Sequence, residues 1–281
     1  MSAPAPSRRR WRRLTALAFV ASVVAYLILV LLVRPSNDRN WAADQQRTAS
    51  ADFAGPVVRL HNVRNALYRS TTDFDVRWED RTIDLRELDS LWFIVEPFAE
   101  WRGPAHTFMS FGFRGGEYLG ISIEIRKEVG ENFSPLLALF RQYELMYVIG
   151  DERDLIGLRA NFRHDDVYLY KIRATPEQMR QLLVSMLERT NQIGRSPEFY
   201  NTLTNTCASN IATHVNAMVP GRIPWSYKTL LPAFADDLGF DLGLIDTTLP
   251  RDQYRAAHRI NDLAKIHADS ATFSRDIREG Q

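Results

Sequence analysis

The chain has 281 residues, of which 45% are hydrophobic and 11% aromatic. That is enough apolar material for one globular domain with a sizeable core, and it excludes a largely disordered chain. Lys and Arg number 35 against 34 Asp and Glu, a net charge of +1, so the balance gives no reason to expect a nucleic-acid partner. The single cysteine, Cys207, excludes an internal disulfide framework.

From the N-terminus, residues 1–13 form a basic segment ending in Arg8, Arg9, Arg10, Arg12 and Arg13. Leu14–Val33 follows without a charged residue. About 20 apolar residues at ~1.5 Å each span a hydrocarbon core of ~30 Å, so 14–33 reads as a transmembrane helix. Only Arg34 and Arg39 stand behind it, with Asp38 between them. The positive-inside asymmetry then sets the N-terminus in the cytoplasm and the rest beyond an inner membrane, in the periplasm. A cleaved signal peptide is the rival reading, but its apolar core is ordinarily ~7–15 residues and is followed closely by a small-residue cleavage site. Here Arg34-Pro35 follows directly, and Ala49-Ser50-Ala51 lies far downstream.

Residues 34–55 are polar and aperiodic and read as a tether, with the periplasmic domain occupying 56–281. Within it the sequence predicts strands at 57–60, 74–78, 82–85, 90–98, 106–113, 118–126, 145–149 and 167–172. Gly115-Gly116 between two of them marks a hairpin. Ile121, Ile123 and Ile125 alternate with Ser122, Glu124 and Arg126, which predicts one dry and one polar face. Ser134-Pro135 predicts a helix start, and Thr175-Pro176-Glu177-Gln178 a capping box opening a helix that ends at Gly194. A third helix is predicted from about Asn205 to Val219. Strands and helices without regular βαβ alternation argue for an α+β fold. The run Asp151-Glu152-Arg153-Asp154 suits a solvated turn or an ion-pair cluster.

Cys207 is the candidate nucleophile. Asn205 or Thr206 would cap its helix and place the thiol in the first turn, where unsatisfied N–H groups bias it toward thiolate and could also hold an oxyanion. Its bland counterpart is a small buried hydrophobe. A cysteine nucleophile needs a base. Among six histidines, His106 opens a strand, and a hairpin centred on Gly115 sets Glu124 opposite it on the same face. Glu124 would then accept the second imidazole N–H and favour imidazolium, with Ser122 in reserve. A strand histidine can equally be structural, and Glu124 can simply pair with Arg126. His214 lies two turns beyond Cys207, while His61, His164, His258 and His267 stand in polar, surface-like contexts. No close Cys/His/Asp grouping has metal-ligand spacing, and no phosphate loop is present, so neither metal nor cofactor is expected.

The segments AHTFMSFGF, GISIEIRKE, FRQYELMYVIGDERDLIGLR, VYLYKI and PEFYNTLTNTCASNI together resemble the Lnb N-terminal periplasmic domain family, more loosely from about residue 55 to the end. The resemblance implies a permuted papain-like, NlpC-like antiparallel sheet packed on helices, with the histidine strand preceding the cysteine helix. It implies Cys207 and His106 as a working pair, completed by a polar residue on the next strand, Glu124 or Ser122. It implies thiol acyl transfer or lipid-directed hydrolysis, moving an acyl chain from membrane phospholipid to a lipoprotein amine. Family members carry further transmembrane helices after this domain, and no second apolar span follows here, so the acceptor machinery is expected to be either missing or supplied by a partner membrane subunit. The relation to NlpC-type enzymes makes a cell-wall amidase or peptidase the alternative, and a non-catalytic envelope binding module a third.

Overall fold

A computed structural model describes residues 8–280. Residues 1–7, most of the expected cytoplasmic segment, lie outside the described residues. The first element, α1 (Arg8–Leu32), is 25 residues long and apolar enough to cross a membrane. At ~1.5 Å per residue it measures about 37 Å. Leu17, Phe19, Leu31 and Leu32 stand exposed on it, as on a helix whose apolar surface the protein itself does not cover.

The stretch read as an aperiodic tether is packed. Trp41 and Gln45 are buried, Gln45 donates to the carbonyl of Ile125, and the Arg126 guanidinium stacks over the Trp41 ring at 4.2 Å. β1 (Ser50–Ala54) then pairs with β2 (Val57–Arg64), so the sheet begins before Pro56. Its signal was weak because these contacts are side chain-to-backbone bonds without apolar periodicity.

β3 (Leu67–Tyr68) and β4 (Phe74–Asp75) form a small ribbon. Segments expected at 74–78 and 82–85 resolve differently, since 78–84 is one continuous strand, β5 (Trp78–Asp84), paired to β2. β6 (Leu88–Pro97), β7 (Ala105–Phe113), β8 (Tyr118–Arg126) and β9 (Glu144–Gly150) make an antiparallel meander, and β10 (Tyr168–Lys171) edges β6. The order is β1-β2-β9-β8-β7-β6-β10, with β5 branching from β2 and a single parallel pairing between β2 and β9. The β7–β8 turn places Gly115 and Gly116 at φ +102° and +87°, backbone open chiefly to glycine. Phe108 pairs with Ser122 and Ser110 with Gly120, the register centred on Gly115.

Both faces of this sheet are covered. On one, Leu91, Met109, Phe111, Ile121 and Ile123 pack beneath α3 (Pro176–Arg195) and α4 (Cys207–Met218). On the other, Trp92, Ile94, Phe108 and Val148 pack with Leu155, Ile156, Ile260 and Phe273 from α2 (Glu152–Gly157), the π-helical turn that continues it and the short C-terminal helices. The polar face expected from Ser122 and Arg126 is therefore buried, and its groups are paired inside the protein. That is also why β7 reads as a nearly unbroken apolar run. The result is α+β, a mixed sheet between helical layers, preceded by one N-terminal apolar helix.

Helix starts vary in how well local chemistry foretells them. At α3 the capping box is formed: Thr175 Oγ1 accepts from the Gln178 amide and Gln178 Oε1 from the Thr175 amide. Ser134-Pro135 yields only a 3-10 turn at Leu137–Phe140, cut off when Arg141 turns left-handed at φ +61°. Asp151–Asp154 is an ion-pair cluster inside the fold: Arg64 is bidentate to Asp154 at 2.9 Å for both bonds, and Arg278 to Glu152 at 2.6 and 2.8 Å. His258, expected at the surface, is buried against Tyr170 and donates through Nδ1 to the Tyr254 carbonyl.

Candidate functional site

Two elements approach the N-terminal end of β7. From the helical side comes α4. Thr206 caps it through a reciprocal pair, its Oγ1 accepting from the Ser209 amide at 3.1 Å and Ser209 Oγ from the Thr206 amide at 2.8 Å. Asn210, Tyr147, His214 and Ser185 form a buried hydrogen-bonded chain that fixes α4 to β9 and α3. Cys207 thus occupies the first helical position, as the cap residue predicts.

Its thiol, however, is 3% exposed, packed in the cluster of Met109, Phe111, Ile123 and Tyr147 beside Thr107 and Tyr200. Burial pushes its pKa up, and contacts with the hydroxyl and amide of Thr107 and with the amides of Ala208 and Cys207 itself only partly offset this. The expected bias toward thiolate is corrected on that ground: at this site desolvation outweighs the helix N-terminus.

His106 belongs to the opposite face. It stacks on Phe108 at 5.7 Å, and strand alternation turns it away from Thr107 and so from the thiol. No hydrogen bond joins Cys207 to His106 among the described residues, and this corrects their expected direct contact. The two arrive at neighbouring positions of one strand, about a hundred residues apart in sequence, from its two sides.

The imidazole has a defined partner chain. Its Nε2 lies 2.7 Å from Ser122 Oγ, and Ser122 donates to Glu124 Oε1 at 2.8 Å. An ionised carboxylate only accepts, so the serine hydrogen is committed to Glu124 and the imidazole must donate through Nε2–H. Nδ1 is left with its lone pair, the nitrogen able to take a proton. The register predicted for Glu124 holds, but Ser122 bridges it to His106 where a direct bond was expected.

Glu124 is committed further to Arg159 at 2.9 Å, and Arg159 also binds Glu96 at 2.5 Å, all three largely or fully buried. Burial pushes the Glu124 carboxyl up, but Arg159 first, then Arg64, His106 and Ser122, hold it well below the ordinary carboxylate range. Glu124 does pull the imidazole toward imidazolium as expected, but that pull is outweighed. Burial first, and Arg159 second, lower His106 to about 4, leaving it neutral at pH 7. Glu96 and Arg159 carried no site reading from sequence. Their signal was a lone carboxylate in SLWFIVEPF and a lone guanidinium in DLIGLRANF, charges inside apolar runs that imply a buried pair.

Also absent from the sequence reading is an apolar cavity of about 140 Å³ along α4. Its lining includes Ala208, the residue after the thiol, with Ile211, Ala212, Val215, Phe93 and Met109. Arg173, Arg222 and Lys228 stand in its wall. Among the described residues, no group of three or more His, Cys, Asp or Glu side chains could hold a metal.

The family described as the Lnb N-terminal periplasmic domain matches residues 74–233, a span that contains β6 to β10, α3 and α4, with Cys207, His106, Ser122, Glu124, Glu96 and Arg159. No curated protein and no solved structure matches the chain.

Proposed function

The chain belongs to the Lnb N-terminal periplasmic domain family, and on that premise we propose that it is a membrane-anchored thiol acyltransferase or lipid-directed hydrolase. A periplasmic domain family and one N-terminal apolar helix fit a single-pass membrane protein. The proposed arrangement is an inner-membrane anchor at 14–33, residues 1–13 in the cytoplasm and a permuted papain-like unit in the periplasm. The arginines at 8–10, 12 and 13 support that orientation.

The observation that carries the reading is the cavity whose lining includes Ala208, next to Cys207 in the chain, and whose surface is almost wholly hydrocarbon. It suits an acyl chain with its carbonyl end at the start of α4, and a polar muropeptide poorly. In the proposed reaction the proton of Cys207 passes to His106 Nδ1 as sulfur attacks the ester carbonyl. The S–C bond forms, the ester C–O bond breaks, and the proton goes to the departing lysophospholipid oxygen. A lipoprotein amine, or water, then attacks the thioester: the new N–C or O–C bond forms, the S–C bond breaks, and the incoming nucleophile's proton returns through His106 to sulfur. Ser122 would position the imidazole and keep Nδ1 free, with Glu124 behind it. This chemistry requires the thiol to leave its contact with Thr107 and reach the imidazole, so engagement of substrate is proposed to rearrange the start of α4.

A second reading, an acyl-binding module without chemistry, is favoured by the burial of the thiol. The full chain in phospholipid vesicles separates them by release of lysophospholipid. Cys207→Ala and His106→Gln are expected to lower it at least ~100-fold. Release unchanged in Cys207→Ala would refute thiol catalysis.

A further inference from the structure

A loop beside the anchor exposes more apolar surface than a water-facing loop needs. Between β8 and β9, Leu136 is 64%, Leu137 46% and Phe140 47% exposed, and Leu203, in the segment before α4, is 57% exposed. The loop is built to hold them out. Tyr143 Oη accepts from the Ser134 amide at 3.0 Å and donates to the Asn132 carbonyl at 2.6 Å. Thr202 Oγ1 donates to the Pro135 carbonyl at 2.7 Å, joining this loop to the one that enters α4. Ala138, between the exposed leucines and Phe140, is fully buried and pins the turn from below.

The position of the loop identifies what covers it. Arg141, the residue after Phe140, donates through Nη1 to the carbonyls of Val30 at 2.9 Å and Val33 at 3.1 Å. Those carbonyls belong to the last turn of the apolar run, which lies at the edge of the hydrocarbon if the run spans it. The exposed turn therefore sits within reach of one arginine side chain from that boundary. A guanidinium at this depth is also placed for lipid phosphate.

We propose that Leu136, Leu137 and Phe140, with Leu203 beside them, insert into the outer leaflet of the bilayer that α1 crosses, a second attachment that turns the start of α4 toward lipid. The proposal rests on reading α1 as a span and deepens the acyl-transfer reading, because it brings phospholipid ester groups to the end of the domain that carries Cys207. Isolated apolar patches of this kind are costly in water and are stabilised when covered.

The test uses the full chain with Cys207→Ser, in nanodiscs of phosphatidylethanolamine and phosphatidylglycerol, spin-labelled at Leu137→Cys, Phe140→Cys or Glu117→Cys. Glu117 is exposed at the far end of β8, about 30 Å away along nine residues of strand. Labels at 137 and 140 are expected to collide with oxygen, which concentrates in lipid, in preference to a water-soluble nickel chelate, and the label at 117 to show the reverse. Nickel accessibility at 137 and 140 equal to that at 117 would overturn the proposal. Shielding of those labels from both reagents would overturn it equally, since protein would then cover the turn. These readings do not involve the thiol, so docking can fail while acyl transfer stands, and the converse.

Discussion

Nε2 of His106 donates to Ser122, 2.7 Å away, and so fixes which imidazole nitrogen is free. Two facts follow from that bond. The ring is held as a neutral tautomer with Nδ1 unprotonated, and its tie to Glu124 runs through a buried hydroxyl. A histidine of this kind is a ready proton acceptor but a weak one, because burial and Arg159 set its pKa near 4.

The depressed pKa predicts a pH dependence with a definite sign. In the unfolded chain His106 binds a proton near its ordinary value of about 6.5, while in the fold it does so only near 4. Its contribution to stability is therefore complete above about 6.5 and is lost as pH falls from there toward 4. His106→Gln keeps a donor for Ser122 and removes the titration. Thermal denaturation between pH 7 and pH 4 should show a shallower decline for this variant than for the natural protein. Parallel curves would refute the assignment.

Arg159 joins two buried carboxylates, so its removal should be expensive. Arg159→Met leaves Glu96 and Glu124 without their shared cation, at a cost of about 3–5 kcal/mol in urea denaturation. Arg159→Lys should recover part of this, because a lysine supplies charge without the fork that reaches both partners. A loss below about 1 kcal/mol for Arg159→Met would show that the cluster is hydrated.

The cavity gives a third prediction. Ala212 lines it from the middle of α4, away from Cys207. Ala212→Phe should fill the space and weaken binding of a fluorescent fatty acid by about tenfold or more, with reactivity of the thiol unchanged. Equal binding in the variant would place the acyl chain elsewhere.

The cap of α4 is testable through stability. Thr206→Ala removes the acceptor of the Ser209 amide and should cost about 1 kcal/mol, read as a lower melting temperature. Thr206→Ser should be nearly neutral. Equal losses in both variants would mean that the methyl group, and not the hydroxyl, matters.

Those bonds mark the boundary of what the sequence discloses. Local signals carried far: the Gly115-Gly116 turn set the register of Phe108 on Ser122, the Thr175 box opened α3, and Thr206 put Cys207 at the first position of α4. What failed depended on burial in three dimensions. The polar residues Ser122, Glu124 and Arg126 alternate as on a wet face, yet distant segments cover them: Glu124 meets Arg159 of the turn after α2, and Arg126 meets Trp41, Gln45 and Gln46. The thiol looked activated because a helix start is visible in sequence, whereas its burial in the large apolar core beside Thr107 and Tyr200 is not. The face on which Cys207 meets β7 was hidden for the same reason. A strand has two sides, and only the tertiary fold chooses which one α4 covers.

The central claim is that Cys207 carries an acyl group, and mass spectrometry of the full chain after incubation with phospholipid vesicles tests it most directly. The account predicts an adduct of one fatty-acyl mass on the peptide containing Cys207, removed by neutral hydroxylamine as a thioester is and missing from Cys207→Ala. An unmodified Cys207 in protein that demonstrably holds lipid in its cavity would contradict the account and leave an acyl-binding domain.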